Sequence, residues 1–175
     1  MSLRFHYIGP ADLLNKLERE RHRTFHAAAQ LQKEAMCDHF FNFCITAHAL
    51  RDWIKKAPSY NTKIDIHAKC NSFPELEACR DIANSNKHYE FNELKKKTRG
   101  AVVGGSSVID VYENENGELV TTGPRESIEI SIVIEGEPIR DSHDFMDRVI
   151  KIWQSILSEY SIPFESIYHD EQSKT

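Results

Sequence analysis

The stretch SIEISIVIEG, residues 127–136, decides the predicted fold. Its isoleucines occupy every second position from 128 to 134, and Glu129, Ser131, Val133 and Glu135 alternate with them. A period of two is typical of an antiparallel strand that buries one face and leaves the other toward solvent. We therefore expect a strand at 127–135 whose isoleucine face packs against another part of the chain.

The segments next to this strand predict the rest of a small sheet. Upstream, two short β-type segments flank Asn116-Gly117, a pair typical of a two-residue type I′ hairpin turn. Downstream, apolar residues recur at helical spacing after Asp141 and Ser142, which are good helix caps. We expect a three-stranded antiparallel β-meander, inserted before the C-terminal helix. Its strands are predicted at 106–113, 118–122 and 127–135, and the helix at 142–160.

The N-terminal half shows helical periodicity instead. Apolar side chains recur three and four residues apart, with Gly9-Pro10 at the start and Pro58 after the last turn of the long pattern. Because one helix over this length would reach roughly 70 Å, we expect a break near Arg23. The predicted helices are 10–22, 24–57 and 73–91. The predicted fold class is α+β, mainly α: an antiparallel helical bundle, one side of which the meander covers. We expect a single domain over 1–165 and a flexible tail over 166–175.

Composition indicates an ordinary folded protein. Of the 175 residues, 40% are hydrophobic and 28% charged, which excludes a largely disordered chain. No run of 18 apolar residues predicts a membrane span, and the N-terminus lacks the apolar core of a signal peptide. The four cysteines show no CxxC spacing and suit reduced thiols. We therefore expect a cytoplasmic protein without membrane contact.

Charge is distributed unevenly along the chain. Residues 1–100 carry 17 Lys/Arg and 12 Asp/Glu, a net charge of +5, whereas residues 101–175 carry 5 and 15, a net charge of −10. The basic half could contact RNA, a nucleotide or an acidic protein partner. Alternatively, the two halves attract each other, within one chain or across a homodimer. The sequence leaves both alternatives open.

A dense polar stripe marks the predicted helix 73–91, within the segment CRDIANSNKHYEF, residues 79–91. Arg80, Asn84 and His88 are spaced by four and share one ridge of the helix, which Asp81 and Lys87 flank. On the preceding helix, His48 and Asp52 also lie four apart. If the two helices are antiparallel neighbours, His48 and Asp52 approach Arg80 and Asn84.

Such a cluster has the chemistry to cleave RNA. Arginine holds a phosphate bidentately, and histidine acts as a general acid or base near neutral pH. A helical bundle with an Arg followed by a polar residue and, further on, a His resembles the HEPN group of small bacterial proteins. Here Arg80-Asp81 and His88 take those places, with seven residues between Arg80 and His88, slightly more than is usual in the group.

The resemblance implies a fold, an activity and partners. It implies a metal-independent endoribonuclease of toxin–antitoxin or phage-defence type that needs no cofactor. Arg80 and His88 would be catalytic, with His48, Asp52, Asp81, Asn84 and Lys87 in support. It also implies a dimer whose two sites face each other and, for a toxin, an antitoxin partner.

A second hypothesis explains the same residues without catalysis. Asp52 could pair with Arg80 and His48 could bond to Asn84, which would fix the register of two helices through a buried polar network. The protein would then be a non-catalytic interaction module.

No metal site is predicted. His22 and His26 lie four apart, but Arg19, Arg21 and Arg23 surround them and disfavour a cation, so we expect a solvated pair. Arg80 and Lys87 likewise disfavour a metal held by His48, Asp52, Asp81 and His88.

Overall fold

A computed structural model describes residues 7–57, 65–85, 98–109, 111–121 and 123–165. Within these residues the chain forms five helices and five strands. The helices are α1 Pro10–Ala29, α2 Lys33–Lys55, α3 Ile66–Asn71, α4 Pro74–Ser85 and α5 Ser142–Glu159. The strands are β1 Thr98–Val108, β2 Val111–Glu113, β3 Leu119–Thr121, β4 Arg125–Ile134 and β5 Arg140–Asp141. The predicted tail at 166–175 lies outside the described residues.

Helices α1 and α2 form an antiparallel hairpin with a sharp reversal at Leu31. Leu31 adopts a left-handed backbone with φ 56°. The amide of Leu31 donates to the carbonyl of Ala28, and the amide of Gln32 donates to the carbonyl of Ala27. These are the two hydrogen bonds of a Schellman stop. The break predicted near Arg23 is therefore wrong. Helix α1 continues to Ala29, and the chain reverses at Leu31, where φ is positive.

Helices α3 and α4 follow the segment 58–64, which lies outside the described residues. Asp65 caps α3, because its side chain accepts hydrogen bonds from the amides of His67 and Ala68. Helix α4 is described only to Ser85, so the C-terminal part of the predicted helix 73–91 lies outside the described residues. Where described, α4 packs against α2.

The sheet differs from the predicted meander in its pairing. Strand β4 lies between β1 and β5, with Val103 opposite Ile130 and Ile132 opposite Arg140. The hairpin around Asn116-Gly117 forms as predicted, but β2 and β3 pair only with each other. Its turn is not type I′, because Gly117 alone has a positive φ there, and the Asn114 side chain accepts from the amides of Asn116 and Glu118.

The isoleucine face of β4 packs into the helical core, as predicted. Ile130, Ile132 and Ile134 are buried, and the strand contacts α1 and α5. Trp153 and Phe145 of α5 fill the same core. The predicted fold class is confirmed: an α+β, mainly α protein with a three-stranded antiparallel sheet.

The part of the β1–β4 pair that adjoins the β2–β3 hairpin lies outside this core. We call residues 105–127 the arm; it comprises the end of β1, the β2–β3 hairpin and the start of β4. In the described part of the hairpin, every residue from Val111 to Thr121 is exposed except Asn114 and Val120, which are half-buried. Val111 and Leu119 lie on one face of the hairpin, and Tyr112 lies opposite Val120 on the other. The arm therefore presents apolar side chains that the described helices do not cover.

The two faces of the paired strands β1 and β4 should differ in their contribution to stability. Ile132→Ala removes a fully buried side chain and should lower the free energy of unfolding by about 2–5 kcal/mol, because a cavity remains. Val102→Ala, at a residue 60% exposed on β1, should change it by less than about 0.5 kcal/mol. Urea denaturation followed by circular dichroism measures both. Equal losses would contradict the assignment of the isoleucine face to the core.

Candidate functional site

Four helices enclose a small hollow where the sequence predicts the polar cluster. Its volume is about 10 Å³, which is close to the space that one water molecule needs. Helix α2 contributes three of the lining residues, α3 and α4 two each, and α5 one. The lining residues are Ala47, His48, Arg51, Cys70, Asn71, Leu76, Arg80 and Trp153.

The structure brings together only part of the predicted cluster. His48 and Arg80 line the same hollow, so the expected approach of α2 and α4 is confirmed at these two residues. Asp52 and Asn84 do not line it. The predicted Asp52–Arg80 pair is wrong, because Asp52 is exposed and its Oδ1 accepts from Nε of the neighbouring Arg51 at 3.3 Å. Asp52 lies one helical turn after His48, beyond the residues of α2 that line the hollow, and its side chain is exposed to solvent.

All three nitrogens of the Arg80 guanidinium bond to the protein. Nε and Nη2 donate to Oδ1 of Asp81 at 3.2 and 3.1 Å, and Nη1 donates to Oδ1 of Asn71 at 3.1 Å. A carboxylate oxygen of Glu77 lies 3.5 Å from Nη1. Two carboxylates therefore balance the Arg80 charge, and Asn71 joins α3 to α4 through it.

Asp81 is the most buried member of this group. Its side chain is 8% exposed, whereas that of Arg80 is 27% exposed. A carboxylate this deep in the protein requires a charged or hydrogen-bonding partner. Arg80 supplies it, so the pair has a structural role whatever else it does. The predicted residues Lys87 and His88 lie outside the described residues, and so does the predicted Arg80–His88 pair.

The thiols near the hollow are unsuited to nucleophilic catalysis. Burial raises the pKa of Cys70 to about 12. Burial, followed by the neighbouring Cys44 thiol, raises the pKa of Cys79 well above its ordinary value. Since the thiolate is the reactive form, neither side chain offers an appreciable nucleophile near neutral pH.

A second and larger concavity lies at the turn end of the α1–α2 hairpin. We call it the basic cleft. Its volume is about 350 Å³. The lining residues are Arg19, His22, Arg23, His26, Ala27, Gln32, Ala35 and His39. Five of the eight carry a guanidinium or an imidazole, and none carries a carboxylate.

A buried carboxylate organises one side of the basic cleft. Glu20 is 4% exposed, and its two oxygens accept from Nη1 of Arg23 at 2.8 Å and from Nδ1 of His39 at 3.1 Å. Lys16 lies 3.8 Å from the same carboxylate, and burial lowers the pKa of Lys16. Glu20 therefore ties α1 to α2 and holds two cleft side chains in place.

The predicted solvated histidine pair is only half correct. His26 is exposed, but His22 is half-buried, and burial followed by the positive charge of Arg21 lowers its pKa. Arg21 itself pairs with Asp147 of α5. Within the described ranges no group of three or more His, Cys, Asp or Glu side chains is placed to hold a metal ion.

The sequence interpretation missed the basic cleft because two helices build it. The cationic and imidazole side chains at 19, 22, 23 and 26 follow helical spacing. That spacing could have indicated one basic face, had a continuous α1 been expected. His39 joins only after the chain reverses at Leu31.

Comparison with known proteins identifies no relative. No family model, no curated protein and no solved structure matches the chain. Among the residues that the structure describes, no helix has the length and apolar character needed to cross a membrane.

The lowered pKa of His22 makes a prediction about stability and pH. Above pH 7 the imidazole is neutral in both states and contributes nothing. As pH falls through the ordinary value of 6.5, the unfolded chain binds the proton more readily, so the wild type should lose stability. In His22→Gln this part of the loss should disappear, and the free energy of unfolding should fall less between pH 7.5 and 5.5.

The exposed neighbour provides the control. His26→Gln should retain the pH dependence of the wild type, because His26 lies toward solvent. Urea denaturation at four pH values measures all three proteins. Parallel pH profiles for the wild type and His22→Gln would contradict the expected role of burial at His22.

Proposed function

We propose that this chain is a non-catalytic interaction module. The observation that carries the proposal is the state of Arg80, whose three guanidinium nitrogens are all directed at Asp81 and Asn71. An arginine that binds a scissile phosphate needs donors free to turn toward it. Here three of the five N–H donors of Arg80 bind a buried carboxylate and a residue of the neighbouring helix, as in a structural network.

The size of the hollow supports the same proposal. A volume of about 10 Å³ admits one water molecule but not a nucleotide, for which sites of roughly 300 Å³ or more are typical. His48 therefore lies beside Arg80 in a space too small for a substrate. Cys70, on the same hollow, offers no thiolate near neutral pH because its pKa is about 12.

The arm is the element that we propose makes the interaction. Val111, Tyr112 and Leu119 are 57%, 53% and 75% exposed. Along the described arm, β1 pairs with β4 on one edge only, and an unpaired edge is a template for another chain. Apolar side chains on both faces, together with a free edge, fit a docking element better than a solvated hairpin.

A second copy of this chain is the partner that the charges favour. The arm belongs to the half of the chain with net charge −10, and the helices belong largely to the half with +5. An arm from each copy laid on the helical half of the other would oppose unlike charges twice. Such an exchange is closed by a two-fold axis, the commonest symmetry of homo-oligomers.

The HEPN-like ribonuclease stays as the second candidate. One observation favours it: Arg80 and His48, a catalytic and a supporting residue of that hypothesis, line one hollow. It requires His88 to reach Arg80 and the Arg80 side chain to exchange Asp81 for a phosphate. The stability of Arg80→Ala and an RNA cleavage assay distinguish the ribonuclease from the interaction module.

Substitution of Arg80 tests the structural network. Arg80→Ala should lower the free energy of unfolding by about 2–4 kcal/mol, because the buried carboxylate of Asp81 then loses the guanidinium that bonds to it. The matched control is Arg51→Ala, which lines the same hollow but pairs with an exposed Asp52, and it should cost less than about 1 kcal/mol. Urea denaturation measures both variants.

An RNA cleavage assay decides between the two candidates. The interaction module should leave a single-stranded RNA oligonucleotide intact in the presence of a metal chelator. Cleavage by the wild type that is lost in His88→Ala, together with unchanged stability of Arg80→Ala, would sink the module and support the ribonuclease.

Substitution on the arm tests the proposed partner. The wild type should sediment as a dimer, and Leu119→Asp should be monomeric, because it places a charge on the exposed apolar face of the hairpin. Ile8→Asp, at a residue 94% exposed far from the arm in sequence, is the matched control and should remain dimeric. Analytical ultracentrifugation gives the masses. A monomeric wild type, or a dimeric Leu119→Asp, would rule out self-association through the arm.

A further inference from the structure

The basic cleft brings several basic side chains close together, and their mutual repulsion destabilises the folded state. Arg19 and Arg23 lie four residues apart on α1, and so do His22 and His26, so each pair stacks on one helix face. Like charges at this spacing destabilise a helix. Glu20 offsets Arg23 within α1, but Arg19 keeps an unbalanced charge beside it, which favours an opposing negative charge at the cleft.

Glu20 is the carboxylate that pairs directly with cleft side chains, while Glu18 and Asp147 act on His22 from outside the lining. Glu20 balances Arg23, Lys16 and, when protonated, His39. Arg19 forms no salt bridge with any other described residue. None of the residues that line the cleft carries a carboxylate, and two of them are arginines. The cleft keeps a net positive charge.

The start of α2 adds to this field. Gln32 and Ala35 line the cleft, and α2 begins at Lys33. Gln32 makes no side-chain capping hydrogen bond. The first amides of a helix lack partners within the helix, and the helix dipole makes this end positive. Over the 23 residues of α2, the dipole is fully developed, and it acts together with the arginines and histidines of α1.

We propose that the basic cleft binds a small phosphorylated molecule through at least two adjacent phosphoryl groups. Its volume of about 350 Å³ falls in the range of sites for molecules of nucleotide size. Arg19 and Arg23 suit phosphoryl oxygens because a guanidinium donates in a planar fork. Glu20 acts as a positioning residue, since it fixes Arg23 and His39 against the same side of the cleft.

A divalent cation is the wrong ligand for this cleft. Two guanidinium groups repel it, and no carboxylate lines the space. An anion with a single charge would interact with only some of the cationic groups that line the cleft. Two linked phosphoryl groups match the spread of donors over α1 and the start of α2.

This inference goes beyond the proposed function and stands apart from it in the structure. His48 in the hollow lies nine positions after His39 in the cleft along α2, a rise of about 13 Å. Variants of the cleft leave Arg80 and its partners unchanged. The two proposals can therefore fail separately.

Isothermal titration calorimetry on the full chain tests the cleft. Inorganic pyrophosphate and adenosine triphosphate are titrated at pH 6.5 and fixed ionic strength. Both should bind, and Arg19→Gln should weaken both by about tenfold or more, since it removes one charge-assisted contact. Tighter binding of adenosine triphosphate than of inorganic tripolyphosphate, titrated in the same way, identifies recognition of the nucleoside; equal binding identifies the phosphates alone.

Two further variants make the result specific. Arg148→Gln on α5 removes the same charge from an exposed site, where Arg148 pairs with Asp144, and it should bind like the wild type. His26→Gln, at an exposed position of the cleft, should weaken binding without affecting the core. If circular dichroism shows that Arg19→Gln is unfolded, His26→Gln still tests whether the cleft binds the phosphates.

Three results would overturn the proposal. The first is no heat of binding with either ligand. The second is equal weakening in Arg19→Gln and Arg148→Gln, which indicates net charge rather than a site. The third is binding of a single-stranded RNA oligonucleotide that pyrophosphate does not displace, which would reassign the cleft to a nucleic-acid surface.

Discussion

The packing of α1 against α2 is the interaction on which the rest of the structure depends. Leu14 and Leu17 of α1 and Met36 and Phe43 of α2 are fully buried, and they belong to one continuous core. Helix α4 packs on α2, while α5 and β4 pack on α1. Every other layer therefore takes its position from this hairpin. The reversal at Leu31 sets that packing, because its two backbone hydrogen bonds stop α1 and turn the chain within three residues.

Local patterns predicted the elements well where side-chain burial decides them. The alternation in β4 predicted its buried face, and Asp141 and the apolar spacing after it predicted α5. Strand β1 was missed in part, because its glycines and polar residues carry no clear period and its pairing with β4 stabilises it. The turn at Leu31 was misplaced because a leucine with a left-handed backbone follows from tertiary packing, and no residue preference indicates it.

The candidate site was likewise predictable only in part. Helical spacing predicted that His48 and Arg80 meet, because it placed each of them on the face along which α2 and α4 pack. The partners of Arg80 were not predictable in this way. Asp81 is its neighbour in sequence, and Asn71 comes from α3, a short helix in a segment expected to be a connection. The basic cleft likewise required both helices of a hairpin whose turn had been misplaced.

The place of β4 in the chain has a consequence for synthesis. An isoleucine-rich strand of low local charge is the kind of segment that aggregates when it is left uncovered. Here four of the described helices precede it, and α1, whose surface it covers, is the earliest of them. As the chain leaves the ribosome from its N-terminus, β4 emerges after α1 and before α5, so one of the two helices that it contacts already exists. The order of elements along the chain thus protects the nascent protein at its most vulnerable segment.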